Sequence, residues 1–287
     1  MTKLRITVVL LALVGALNSW SQGFGNRELI NADWYFNLGD IKYGGSEYFD
    51  HSEWRKLELS HDWSVEAVAS PELASCTGYL PGGIGWYRKD LDIPKVQNGN
   101  KVYIYFEGIY NNSEVFINGK WIGKRPNGYV SFMYELTPYL KFGGRNVLAV
   151  RVDHSQDADS RWYTGSGIYR DVYLVYANPV HIRLWGVSYS AKVNKKNAVL
   201  SVQTEVDNTG KLPVAVKVLH EVFDRDGKKV GAGSLDYSLR AGEMVKKELA
   251  VSIVQPKLWS LEDPYLYTIR TTLSKGGKVI DRTETRA

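Results

Sequence analysis

The chain has 287 residues, 44% hydrophobic and 23% charged, enough for two ordinary globular domains and too apolar for a disordered chain. Its 36 lysines and arginines against 31 acids give a net charge of +5, spread over pairs such as Lys195-Lys196, Lys228-Lys229 and Lys246-Lys247. No basic stripe forms, which argues against nucleic-acid binding, and the single Cys76 excludes an internal disulfide or a cysteine metal cluster.

Residues 1–21 read as an export signal. Lys3 and Arg5 form the positive start, Ile6 to Leu17 the apolar run, and Ser19-Trp20-Ser21 a small-residue cleavage site before Gln22. The run is shorter than the roughly 20 apolar residues of a bilayer-spanning helix. No membrane attachment is expected once it is removed, and no cysteine follows it to carry a lipid. The expected destination is the periplasm or the medium of a bacterium, with the two left open.

From there the chain reads as strands and turns, with no long helical period. Gly82-Gly83-Ile84-Gly85 is a constrained loop able to reach a ligand, and it leads into Trp86-Tyr87, which on a strand face opposite sides. Val102, Ile104 and Phe106 alternate with Tyr103, Tyr105 and Glu107, the pattern of a half-buried strand. Asn118-Gly119 is a strong hairpin signal between Glu114–Ile117 and Lys120–Gly123, because both turn positions need positive φ. Gly143-Gly144 breaks the chain before an alternating run from Val147 to Asp153. These short strands predict a sandwich or jelly roll.

A second unit starts near Asn178-Pro179. Strand-like runs follow at Val187–Val193, Ala198–Val206, Val214–Phe223, Val245–Ile253 and Tyr265–Leu273, and a last one from Val279 to Ala287 looks cut short. The span has the ~100 residues of an immunoglobulin-like sandwich. The expected domains are thus 22–177 and 178–287.

Chemistry is less legible. Glycoside hydrolysis needs two carboxyl groups about 5–5.5 Å apart for retention, and spacing singles out no such pair. Glu107, Glu114, Glu135 and Asp153 lie in or beside strands, in solvent-facing or turn-bonding positions. His61-Asp62 reads as local turn bonding rather than an acid–base dyad. The five histidines are unpaired in spacing, so no zinc site is expected. The glycine loop lacks a phosphate-loop lysine and a following helix, and no nucleophile elbow occurs, so no cofactor or catalytic residue is assigned.

The most informative segment is Ser160-Arg161-Trp162-Tyr163-Thr164-Gly165-Ser166-Gly167-Ile168-Tyr169-Arg170-Asp171-Val172. Arginine forks and flat aromatic faces suit a sugar ring, and the glycines permit close backbone approach. On composition alone it reads as a strand entry whose aromatics pack into a core. Yet this string resembles a signature of glycoside hydrolase family 2, which includes β-galactosidases, β-glucuronidases and β-mannosidases. So do, in order, Leu59–Trp63, Gly82–Lys89, Phe106–Tyr110, Val115–Lys120, Gly128-Tyr129, Leu258-Trp259-Ser260 and Pro264–Tyr267.

The resemblance implies an all-β chain, a jelly-roll sugar-binding β-sandwich followed by an immunoglobulin-like β-sandwich, ahead of a catalytic (β/α)8 barrel that these residues do not include. It implies catalytic glutamates on that barrel, one of them in an Asn-Glu pair that is missing here, so none is carried over. It places Asp159, with Asp157 as fallback, and Arg161, Trp162 and Tyr163 at the substrate rim. The expected partners are a β-glycoside and the barrel of the same polypeptide, with homo-oligomer formation left open. Two functions follow: the non-catalytic N-terminal portion of a secreted retaining exo-glycosidase, foremost a β-galactosidase, or a stand-alone carbohydrate-binding or interaction module.

Overall fold

Alternation of apolar and polar residues builds nearly every element of this chain as a strand. A computed structural model describes residues 26–156, 160–194 and 196–287. The leader expected over 1–21 lies outside them, as do Asp157 and Asp159.

The first part contributes β1 (Asn26–Leu29), β2 (Trp34–Leu38), β3 (Arg55–Leu57), β4 (Gly83–Asp92) and β5 (Lys101–Phe106). It continues with β6 (Ser113–Ile117), β7 (Lys120–Arg125), β8 (Phe132–Glu135), β9 (Arg145–His154) and β10 (Val172–Ala177). They form two antiparallel sheets, β1-β10-β5-β8 and β3-β2-β4-β9-β6-β7. Between the sheets lie Trp34, Tyr87, Phe106, Phe132 and Leu148, all buried. Each such side chain contributes about 1.5–3 kcal/mol through burial. Asn118 and Gly119, at φ 48° and 78°, close the β6–β7 hairpin as their residue types require.

Two strands are more buried than their alternation implies. Trp86 and Tyr87 are both in apolar surroundings, because residues 39–54 fold over the outer face of the six-stranded sheet. Arg88 fixes that strap from below: its guanidinium donates to the carbonyl of Gly44 and, through Nε, to His51 Nδ1 at 3.2 Å. Burial pushes the Arg88 pKa down to about 10. On β5, Tyr103 and Tyr105 are also buried, for a reason that lies in the second sandwich.

That sandwich consists of β11 (Val180–Val193), β12 (Asn197–Asn208), β13 (Val214–Phe223), β14 (Lys229–Leu239), β15 (Met244–Val254), β16 (Thr268–Lys275) and β17 (Lys278–Arg286). Its sheets are β11-β12-β15 and β14-β13-β16-β17. The core is aliphatic, built on Val202, Val206, Val216, Val218, Ile269 and Leu273. β14 carries Gly231 and Gly233 in its first half, ends in the alternating Leu235, Tyr237 and Leu239, and pairs with β13 along its length. Tyr265 to Tyr267, expected as strand, precede β16 as a loop, with Arg225 Cζ and Lys257 Nζ at 4.5 and 4.9 Å from the Tyr265 ring centroid.

Only Asn178 and Pro179 separate β10 from β11, and both are tied down. Pro179 O accepts from the backbone N and the hydroxyl of Thr209, both at 2.8 Å, and Asn178 Nδ2 donates to Ile280 O at 2.9 Å. β11 then bulges between Ile182 and Val187 and lays Leu184 on Tyr103, Tyr105, Val175 and Ala177. This contact buries the outer face of β5. Among the described residues no helix is long and apolar enough to cross a membrane.

Candidate functional site

β4 begins, β9 ends, β5 ends and β10 begins at one end of the first sandwich, as the pairs Gly83↔His154 and Phe106↔Val172 show. The loops gathered there frame the segment 160–171. Its backbone is pinned from both sides: Tyr110 and Gly167 exchange N–H···O bonds at 2.9 Å, His61 N donates to Ile168 O, and Trp63 N donates to Ser166 O.

The glycines of the segment are dictated by this threading. Gly167 has φ 125°, and a Cβ there would lie 2.2 Å from the Tyr87 hydroxyl. Gly165 has φ 75°, and its Cβ would meet Asp62 Oδ2 at 2.9 Å. Neither position accepts a side chain.

Polar groups hold the wedge. Asp62 Oδ1 accepts from Ser64 N at 3.0 Å and Ser166 N at 2.8 Å, while Oδ2 accepts the Tyr163 hydroxyl. Asp62 therefore does more than the local turn bonding expected of it, since two of its three partners lie about a hundred residues away. Ser64 Oγ donates to Pro81 O at 2.7 Å, so the 2.6 Å Ser64–Ser166 bond is donated by Ser166. The Ser166 oxygen is then free to accept only, which places a proton on Nδ1 of His154, 2.6 Å away. A serine beside a histidine here is a buried structural relay, not a nucleophile and its base. His61 contacts the Tyr87 hydroxyl at 2.7 Å through Nδ1. Its burial lowers its pKa, against the opposing pull of Glu66.

The front of the segment faces outward. Trp162 is 61% exposed, Tyr163 is 42% exposed, and Arg161 is exposed as well. Trp162 Nε1 donates to the Tyr129 hydroxyl at 2.8 Å, and Tyr129 is itself placed by Asn127, whose Oδ1 caps the amides of residues 129 and 130. Burial, then the hydrogen bond to Asp62, pushes the Tyr163 hydroxyl well above the usual phenol range. With its oxygen committed, Tyr163 offers a ring face rather than a donor. The structure thus brings Arg161, Trp162 and Tyr163 to one rim, whereas Asp159 lies outside the described residues. Sequence reasoning overlooked Asn127 and read Asp62 only as a local turn residue. Their only signal was an Asp or Asn two residues before a turn amide.

No group of three His, Cys, Asp or Glu among the described residues is arranged to hold a metal ion. Three of the four carboxylates weighed from sequence are engaged elsewhere, and the fourth, Glu107, lines a cleft away from the segment. Glu135 pairs with Lys101 at 2.6 Å, and Glu114 and Asp153 flank Arg151 at 3.6 and 3.2 Å. The rim displays an exposed arginine beside two exposed aromatic rings.

Residues 68–179 match the family profile described as "Glycosyl hydrolases family 2, sugar binding domain", and residues 180–287 match "Glycosyl hydrolases family 2". Beta-galactosidase BoGH2A of Bacteroides ovatus is 42% identical over 89% of this chain and 30% of its own length. A putative beta-glucuronidase of Formosa agariphila is 37% identical over 89% of this chain and 24% of its own. Among solved structures, a beta-glycosidase from Bacteroides vulgatus superposes with a TM-score of 0.81 at 39% identity, over 92% of this chain and 34% of that one. The chain spans about a third or less of the length of these relatives.

Proposed function

The chain belongs to glycosyl hydrolase family 2, and we propose that it is the non-catalytic N-terminal portion of an exported, retaining exo-glycosidase acting on terminal β-glycosides, foremost β-galactosides. One observation carries the reading: a named beta-galactosidase matches 89% of this chain at 42% identity, while the match takes up 30% of that enzyme. In this reading residues 22–177 present the sugar-contacting rim and residues 178–287 form a supporting sandwich. The barrel that supplies the acid/base and the nucleophile belongs to the rest of the polypeptide. Residues 1–21 direct export to the periplasm or the medium.

The rim then acts on recognition alone. The exposed indole of Trp162 and the ring of Tyr163 offer apolar faces to the C–H face of a pyranose, and Arg161 offers a fork of donors to its hydroxyls. On sequence alone, Asp159 is proposed as the rim's acceptor.

The test compares two proteins on nitrophenyl β-galactoside and nitrophenyl β-glucuronide. The chain by itself releases no nitrophenol, while the gene product that carries it together with a barrel turns over the galactoside. Release by the chain alone, or no turnover by the longer product, overturns the reading. Preference for the glucuronide would favour the second substrate class, which the 37% identical relative supports. Sugar binding by a product with no barrel would make this a stand-alone carbohydrate-binding module.

A further inference from the structure

Where the bulge of β11 meets the outer face of the first sandwich, a cleft of about 490 Å3 opens between the two domains. That volume, and a position between domains, are those of small-molecule sites. Its walls include Arg27, Tyr105 and Glu107 from the first sandwich, and Trp185, Glu284 and Arg286 from the second. None of these belongs to the 160–163 rim.

Trp185 is the anomaly. Its backbone sits at φ 54°, left-handed space that a bulky side chain enters only under strain, and the residue is 63% exposed. A glycine would take that backbone without strain, and little burial would be lost. The fold therefore gains little from a tryptophan here. Its edge contact with Tyr105, 6.2 Å between centroids at 65°, leaves the indole's exposed area to the cleft. Arg27 is the second feature: it lines the cleft with its guanidinium 4.8 Å over the Tyr173 ring. Glu284 accepts from Arg270 Nε at 2.8 Å and Arg286 donates to Thr268 at 2.9 Å.

We propose that this cleft is a second carbohydrate site, for a hexuronate. The pyranose stacks on the indole of Trp185, its carboxylate pairs with Arg27, and the carboxylates of Glu107 and Glu284 accept from ring hydroxyls. An arginine–carboxylate pair is charge-assisted and directional, which favours the acidic sugar over a neutral one. This site goes beyond the rim reading and does not depend on it.

Calorimetric titration of the whole chain with sodium glucuronate tests the proposal. Binding is expected with a dissociation constant on the order of 1 mM, what a monosaccharide's few atoms allow. Trp185→Gly and Arg27→Met should each weaken it about tenfold or more, the loss of one good contact. Leu212→Ala, an exposed position in neither the rim nor the cleft, should leave it unchanged, and the melting temperature of Trp185→Gly should equal or exceed that of the parent. Absence of glucuronate binding overturns the site. So does binding that survives Trp185→Gly but is lost in Trp162→Ala. Galactose binding as tightly as glucuronate in the Trp162→Ala background overturns the carboxylate assignment.

Discussion

Residues 164–168 and residues 160–163 belong to one continuous segment, yet they answer to different constraints. The later five are buried, threaded between Tyr110 and His61–Trp63, and set by two glycines and the Asp62 carboxylate. The earlier four stand at the surface, held by Ser160 bonding the carbonyl of Trp162 at 2.5 Å and by the indole bond to Tyr129. A rigid anchor beside an exposed aromatic pair is how a loop becomes a preorganised binding surface, since little entropy remains to be lost on contact. The comparison teaches that shaping a loop of this kind is mostly a packing problem, with the exposed groups added at its front.

Substitution in the anchor should show the largest effect. Gly167→Ala would put a methyl 2.2 Å from the Tyr87 hydroxyl at φ 125°, a backbone region closed to alanine. Overpacking and strain together should cost about 4 kcal/mol or more, read as a collapse of the urea midpoint. A near-normal midpoint would show that the segment is not wedged.

Asp62→Ala comes next. It strands two backbone amides and the Tyr163 hydroxyl, and losing a charged acceptor of this kind costs about 3 kcal/mol. The Tyr163 pKa should fall back towards the ordinary phenol value, which a spectrophotometric titration of difference spectra against Tyr163→Phe reads out. An unmoved titration would mean that Asp62 does not set the rim.

The anchor should also be acid-sensitive through His61. Burial lowers its folded pKa below the ordinary 6.5, so on acidification the unfolded chain takes up a proton before the native one does. Its share of stability is present at neutral pH and is lost as pH falls below 6.5 and through the lowered folded value. His61→Gln should flatten that part of the stability–pH curve. A curve of equal slope in both proteins would remove His61 from the account.

At the front, Trp162→Ala should change stability by no more than about 0.5 kcal/mol, as exposed substitutions do. In the proposed longer enzyme it should lower kcat/KM about tenfold if the proposed sugar contact is made. A large fall in melting temperature with normal kinetics would reverse the comparison, making 160–163 part of the core.

The sequence by itself determined what depends on neighbours along the chain. Alternation sets the strands, Asn118-Gly119 sets its hairpin, and the order of the aromatic-glycine motifs is enough to identify the family. The same local reading placed Arg161, Trp162 and Tyr163 together because they are consecutive. What needed the tertiary structure was every feature made by residues far apart. The glycine-rich first half of β14 carries little local strand signal and is held in its ladder with β13. Tyr103 and Tyr105 lose their solvent face only because Leu184, from the other sandwich, lies on it. Trp86 joins a core only under the strap that Arg88 holds. Asp62 shows the division most clearly: its bond to Ser64 follows from spacing, whereas its bonds to Tyr163 and Ser166 exist because folding closes a loop of about a hundred residues. Local pattern fixes backbone conformation, but burial and hydrogen-bond pairing are properties of surfaces that meet only when the chain has folded.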